Sequence, residues 1–379
     1  MYYCYFFCIK PKYMDEDEIN DVREKKDFRG ITFSKFKKSD VRKELLNNMF
    51  NGKIESSCYW AAELVCAGHF MDLWEIILLF SNKHIHLGNP KLPIYIDMRF
   101  QAFKEIVQNG YIDNEIRMRN NDKIRKLFSE IICVLCLSIK KHSFETIKIT
   151  EDDYIMTNMT DRLKAKNVFY VQPVFQKDDP KELFIALNEL AYHVSNDSKN
   201  MVSACYWIEW ILEFEARCKK KREKCEGDRR SHSFIQDKYQ KDVIWIVWDI
   251  FIAESKKKPK LVQKIINASL NLFALRYMPN VKKRRRFLLY HIVSLLTEPI
   301  NQSIPIIANS NTISRVQEKI NMIYRQIKKN EERPATDYLF NNKMGKSNVE
   351  KTAEKLDKMR NMTSFIPRSS GSNEDKDKS

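Results

Sequence analysis

Apolar residues recur along most of the chain at the three-and-four spacing that buries one face of a helix. Residues 181–194 show it best: Leu183, Phe184, Leu187, Leu190, Ala191 and Val194 fall on a single stripe. A helix beginning near residue 94 carries Ile96, Phe100, Phe103 and Val107 at the same spacing, and Asn109-Gly110 supplies its stop. Residues 123–139 repeat the pattern with Ile124, Leu127, Phe128, Ile131, Ile132 and Leu135, and residues 284–297 form a further helix that Pro299 ends. Ser39 or Asp40 is placed to cap a helix opening near residue 39. Residues 168–175, with Tyr170, Val171 and Val174 around Pro173, read instead as extended chain. Only 8 Gly and 11 Pro occur among 379 residues, which disfavours a turn-rich β fold and predicts an all-α one.

One stretch occurs twice. Cys58-Tyr59-Trp60 returns as Cys205-Tyr206-Trp207, and Trp60 and Leu64, like Trp207 and Ile211, stand four apart on one helical face. Other landmarks flank both copies in the same order. Lys43-Glu44-Leu45-Leu46 matches Lys181-Glu182-Leu183-Phe184, Asp72 and Trp74 match Asp242 and Trp245, and Pro90-Lys91-Leu92 matches Pro259-Lys260-Leu261. The spacing grows in the second copy, whose largest insertion, 216–239, is highly charged; insertions between matched elements map to loops. The expectation is two tandem, internally duplicated helical-bundle lobes, each centred on its Trp-bearing helix. The segments are an arm (1–37), a first repeat (38–141), an extended connector (142–180), a second repeat (181–299), a heptad-like helix (300–330) and a mostly disordered tail (331–379). A cyclin-like or solenoid-like arrangement accommodates such a pair, although no cyclin signature is present and the analogy is one of topology alone. In the 300–330 segment, Ile313, Val316, Ile320, Ile323 and Ile327 follow a coiled-coil seam over about two heptads. That seam packs either on the second copy or against another chain, as a homo- or hetero-oligomer contact.

Charge changes the picture more than composition does. Lys and Arg number 66 against 50 Asp and Glu, a formal net charge of +16, which bears on partners rather than fold. The basic runs concentrate in the second copy: Lys219, Lys220 and Lys221 with Arg222; Lys256, Lys257 and Lys258; and Lys282, Lys283, Arg284, Arg285 and Arg286. A weaker set, Lys35, Lys37, Lys38, Arg42 and Lys43, precedes the first. Such runs pair with phosphates, with little base specificity, or face an acidic protein, serve as a nuclear address or form a solvated face. Phe287 and Tyr290 adjoin the last run and could stack on bases, though their spacing suits the core.

Candidate chemistry is sparse. Gly345-Lys346-Ser347 lacks the earlier glycine and the strand of a phosphate-binding loop, because Phe340 stands where that glycine belongs. Cys133 and Cys136 have redox or zinc spacing but lie in an apolar helix without a second ligand pair. Cys218, Cys225 and His232 fall one ligand short of a zinc site. His84-Ile85-His86 gives at most two ligands and reads as a polar loop. No metal, cofactor or catalytic residue is therefore assigned, and an enzyme would need a site assembled from dispersed residues. Nine scattered cysteines, several inside apolar runs, fit buried free thiols in a reducing compartment. The apolar start at 1–8 lacks the features of a signal peptide and no run is long enough to span a bilayer, so a soluble, intracellular protein is expected.

Three stretches carry a resemblance: 58–70 (Cys-Tyr-Trp-Ala-Ala-Glu-Leu-Val-Cys-Ala-Gly-His-Phe), 84–95 (His-Ile-His-Leu-Gly-Asn-Pro-Lys-Leu-Pro-Ile-Tyr) and 205–210 (Cys-Tyr-Trp-Ile-Glu-Trp). Together they resemble a helical protein family of giant nucleocytoplasmic large DNA viruses, of mimivirus or phycodnavirus type, over most of 38–305. The resemblance implies expression in an infected cell, at a cytoplasmic viral factory or in the virion, with the nucleus as a further location. It brings no catalytic residues with it. The expected function is a non-enzymatic helical scaffold or adaptor binding an anionic partner, nucleic acid or an acidic viral protein, in replication, transcription or packaging. The alternatives are a virion structural or assembly protein and an enzyme with a dispersed site.

Overall fold

The structure is a computed structural model that describes residues 17–112, 114–232 and 235–332, with residues 352, 355 and 356. The chain divides into two compact units, 1–331 and 332–379. In the second, Thr352, Lys355 and Leu356 are helical and exposed. Most of the expected tail, Gly345-Lys346-Ser347 and the apolar start at 1–8 lie outside the described residues.

The described part of the first unit is all-helical, with no strand among the described residues and one isolated bridge between Ile31 and Lys37. Its helices are α1 (Lys38–Phe50), α2 (Ile54–Cys66), α3 (Phe70–Phe80), α4 (Leu92–Gln108), α5 (Asp122–Leu137) and the short α6 (Met156–Thr160). There follow α7 (Phe184–Val194), α8 (Met201–Lys221), α9 (Ile244–Ser255), α10 (Lys260–Phe273), α11 (Arg286–Thr297) and α12 (Ser310–Lys328). Three starts are capped by asparagine: the side chains of Asn121, Asn200 and Asn309 accept from the backbone N–H groups of Ile124, Ser203 and Thr312. The expected cap of α1 does not form. Lys37 holds that position without a side-chain bond, and Asp40 lies in the first turn, where its charge suits the helix dipole.

The two halves run in the same helix order, α1–α5 and α7–α11. In both, the first helix packs on the second, third and fifth, and the fifth packs on the second and fourth. The Cys-Tyr-Trp word begins at the fifth residue of the second helix in each half. In the third helices, Trp74 and Trp248 are each the fifth residue, are followed by Glu75-Ile76 and Asp249-Ile250, and pack on a phenylalanine of the next helix, Phe103 or Phe273. Trp245, the residue matched to Trp74 in the sequence, is the second residue of its helix and also packs on Phe273. The tryptophans of the word itself differ: Trp207 is fully buried, whereas Trp60 is half-buried with Phe36 edge-on at 5.4 Å.

One apolar core runs through both halves. Helix α4 packs on α10, and α11 lies on α3 and on the turns that follow α3. There the helix widens into a π turn, Ser81–Ile85, and then tightens into a 3-10 turn, His86–Gly88. Asn82 holds the wide turn by donating to the Leu78 carbonyl at 2.8 Å. Gly88 is required at its end, because a Cβ there would stand 2.2 Å from the Ile139 carbonyl oxygen. The connector carries no strand; residues 167–171 are coil clamped to α7 by buried Asn188, which accepts from the N–H groups of Tyr170 and Val171.

Helix α12 overturns both readings of the heptad seam. It packs on α5 and α2 of the first half, not on the second half. Ile313, Ile320, Ile323 and Ile327 are buried within the chain and Val316 is partly so, leaving no seam for an oligomer.

Candidate anion-binding surface

The eleven cations singled out in the sequence have different fates. Lys282 and Arg285 are buried. Lys282 donates to Glu215 and, at 2.8 Å, to Asp242, whose other oxygen accepts from the Tyr277 hydroxyl at 2.7 Å. Burial, then the neighbouring Asp242 charge, holds the Glu215 carboxyl above its usual range. Arg285 pairs with Glu75 and donates to the carbonyls of Phe273 and Leu275. Lys283 pairs with Glu213 at 2.7 Å and Arg286 with Glu209 at 3.1 Å; Glu209 also accepts from Tyr290. The run 282–286 therefore lies along the acidic face of α8: four of its five cations are ion-paired, three of them, Lys282, Arg285 and Arg286, in largely buried pairs. Those acids soften the otherwise unfavourable clustering of positive charge at the start of α11. Tyr290 is buried and the Phe287 ring is already covered by the Lys83 ammonium at 5.0 Å, so neither is displayed as a stacking platform.

The other two runs sit at helix C-termini, where positive charge offsets the macrodipole: Lys219, Lys220 and Lys221 end α8, and Lys256 follows α9. Lys257 pairs with Glu254, and Lys258 donates to the last carbonyls of α11 through Leu296 at 2.7 Å. Burial, then nearby Lys199, lowers the Lys258 amine. Exposed and without a carboxylate partner among the described residues are Lys219, Lys220, Lys221, Lys256 and Arg284.

These five do not form one patch. Helices α8 and α11 are antiparallel: Met201 meets Ser294, Glu209 meets Tyr290 and Arg286, and Glu213 meets Lys283. Arg284 therefore lies toward the end of α8 that carries Lys219–Lys221. Lys258 reaches Leu296 and Asn196 at the opposite end, bringing Lys256 and Lys257 with it. At 1.5 Å per helical residue, Lys219–Lys221 lie about 30 Å along α8 from its Met201 end, and Arg284 lies between, about 18 Å along the chain from Leu296.

The remaining candidates settle into structural roles. Among the described residues no group of three or more His, Cys, Asp or Glu could hold a metal ion. Cys218 is a buried free thiol and Cys225 a half-buried one, while His232 lies on Trp245 and 3.6 Å from Asp249. Cys133 and Cys136 are buried in α5, the latter donating to Ser57. His86 is not in a polar loop. It is buried between the halves, with Nδ1 donating to the Asn82 carbonyl and Nε2 accepting from Ser294 at 3.0 Å, beside the ring of His291. This Ser–His pair has no access for a substrate, since Ser294 is fully buried.

Burial holds His86 down at about 4, and burial, then His142, does the same for His84. Both are neutral in the fold, while the unfolded chain takes up protons below about 6.5. Stability is thus full above pH 6.5 and falls as the pH drops from 6.5 towards 4. The urea midpoint at pH 5 should be lower than at pH 7.5, and substituting His86 by Gln should reduce that difference; an unchanged difference would show that His86 contributes nothing to it. No sequence pattern could have revealed this site, because Ser294 and His291 lie some two hundred residues from His86.

No helix among the described residues is long and apolar enough to cross a membrane. Compared with protein-family models, with curated proteins and with solved structures, the chain has no match.

Proposed function

We propose that this chain is a non-enzymatic helical scaffold that binds nucleic acid through the cations at the two ends of the α8–α11 pair. The observation that carries the reading is selective pairing. The chain gives acidic partners to Lys282, Lys283, Arg285 and Arg286 yet leaves Lys219, Lys220, Lys221, Lys256 and Arg284 to solvent. Unpaired cations at the two ends of a rigid helix pair suit an extended polyanion, and the ~30 Å length of α8 corresponds to about nine phosphates at about 3.4 Å per nucleotide of one duplex strand. The setting would be replication, transcription or packaging of a viral genome, as the resemblance implies. The two halves belong to the same proposal as copies of one five-helix unit, a reading supported by their common helix order, shared packing pairs and matched Trp-Glu/Asp-Ile positions.

The test is the variant Lys219→Gln/Lys220→Gln/Lys221→Gln/Arg284→Gln, titrated into a labelled duplex and a labelled single strand at several salt concentrations. The expected result is affinity lower by at least about tenfold at low salt, and a log–log salt slope shallower by about 0.9 for each duplex phosphate that is no longer neutralised. Unchanged affinity and slope would sink the proposal.

A further inference from the structure

The cleft where the halves meet at α4 and α10 is chemically unlike the lysine-bearing ends. It encloses about 490 Å³ and is floored by apolar side chains, including Phe100 and Val107. Its polar lining residues are Gln101, Lys104, Asn271 and Arg276, with no carboxylate among them. Phe100, Lys104 and Val107 stand at i, i+4 and i+7 and so share one face of α4. Phe100 is half-buried and braced by Trp74, edge-on at 5.0 Å. Lys104 is exposed and has no carboxylate partner among the described residues. Arg276 is also exposed, its one ion pair a 3.4 Å contact with Glu115.

The two amides are oriented. Asp97, on α4, accepts from Gln101 Nε2 at 3.3 Å and from Asn271 Nδ2 at 2.9 Å. A carboxylate only accepts, so both side chains turn their nitrogens to it and keep their amide oxygens as acceptors for another group. The cleft thus combines an aromatic ring, two acceptors on a fixed carboxylate and two cations at the rim. Arg285 donates to the carbonyls of Phe273 and Leu275, so the turn that carries Arg276 is tied to the segment that displays Arg284.

We propose that this cleft holds one unstacked base of a single-stranded nucleic acid: Phe100 supplies the stacking surface, Gln101 and Asn271 accept from the amino edge of the base, and Lys104 and Arg276 take the adjoining phosphates. Base stacking on aromatic side chains tolerates any sequence, whereas paired amide acceptors favour bases with an exocyclic amino group over thymine. The inference rests on the nucleic-acid reading above and adds to it a strand type and a base-recognition site. Adenine and cytosine strands should therefore bind better than thymine strands of equal length.

The experiment uses the full chain and four labelled 12-mers of equal charge: oligo(dA), oligo(dC), oligo(dT) and an abasic strand. The expected result is at least about tenfold preference for oligo(dA) over the abasic strand, as one stacked base provides. Phe100→Leu, which keeps apolar volume beside Trp74, should abolish that preference. Lys104→Gln should weaken all four strands alike. Gln101→Ala, at an exposed position, should erase the dA-over-dT preference even if Phe100→Leu proves unstable. Equal binding of base-bearing and abasic strands by the wild type overturns the inference and leaves the nucleic-acid reading standing. So does a preference that survives both Phe100→Leu and Gln101→Ala. Failure of the wild type to bind any strand or duplex overturns both.

Discussion

Arg285→Ala should destabilise the protein by about 3–5 kcal/mol, the range for removing one partner of a buried ion pair. The side chain of Arg285 is 3% exposed and that of Glu75 16%. Without the guanidinium, the Glu75 carboxylate loses its ion-pair partner, and the carbonyls of Phe273 and Leu275 lose a donor. The two residues also join the halves, so the loss falls on the junction rather than on one helix. Urea unfolding followed by circular dichroism measures it. A loss under about 1 kcal/mol, the range of surface pairs, would mean that water already solvates this contact. Neutralising the whole 282–286 run would likewise remove the fold's own ion pairs, so a failure of that variant to retain nucleic acid would report unfolding.

The second large effect separates two tryptophans that the sequence presents as equals. Trp207→Ala should cost about 3–5 kcal/mol, as expected for emptying a fully buried aromatic site. Trp60→Ala should cost roughly 1–2 kcal/mol, because less area leaves the core. Trp207 is 0% exposed, with Tyr206 and Trp210 against it, whereas Trp60 is half-buried and covered by Phe36 from the segment before α1. The same melting experiment decides it. Equal losses would show that Trp60 is as deeply engaged as its counterpart and that the covering segment is firmly packed.

The all-helical architecture was legible because it is written in local spacing. The stripe of residues 181–194, the stop at Asn109-Gly110 and the end before Pro299 each depend on neighbours within one or two turns. The common helix position of the two Cys-Tyr-Trp words was readable for the same reason. What failed depended on distant partners. Three of the acids that neutralise 282–286 stand on α8, some seventy residues earlier, and a fourth, Glu75, on α3, so a run that looks displayed in sequence lies against the carboxylates of Glu209, Glu213, Glu215 and Glu75. The heptad seam of α12 has the right period for a partner helix, but period does not say whose surface it meets, and α5 and α2 of the first half cover it. Trp245 was matched to Trp74 because an aspartate precedes both closely. Counted from the helix start, it is Trp248 that shares the position of Trp74. The π turn after α3 breaks the 3.6-residue period, which is why His84-Ile85-His86 read as a loop while His86 lies buried against Ser294. The cleft at α4 and α10 brings Phe100 and Lys104 to Asn271 and Arg276, a grouping that no linear motif contains.

The cations that hold the fold and those proposed to face a nucleic acid are different residues, and one paired comparison addresses that division. Arg285→Ala and the variant with Lys219, Lys220, Lys221 and Arg284 all changed to Gln are each unfolded in urea and titrated with the same labelled strand. The expected outcome is a crossed pattern. The quadruple variant melts like the wild type and binds far more weakly, while Arg285→Ala melts early and, where folded, loses far less affinity than the quadruple variant. The reverse pattern, or a quadruple variant with undiminished affinity, would place the binding surface elsewhere.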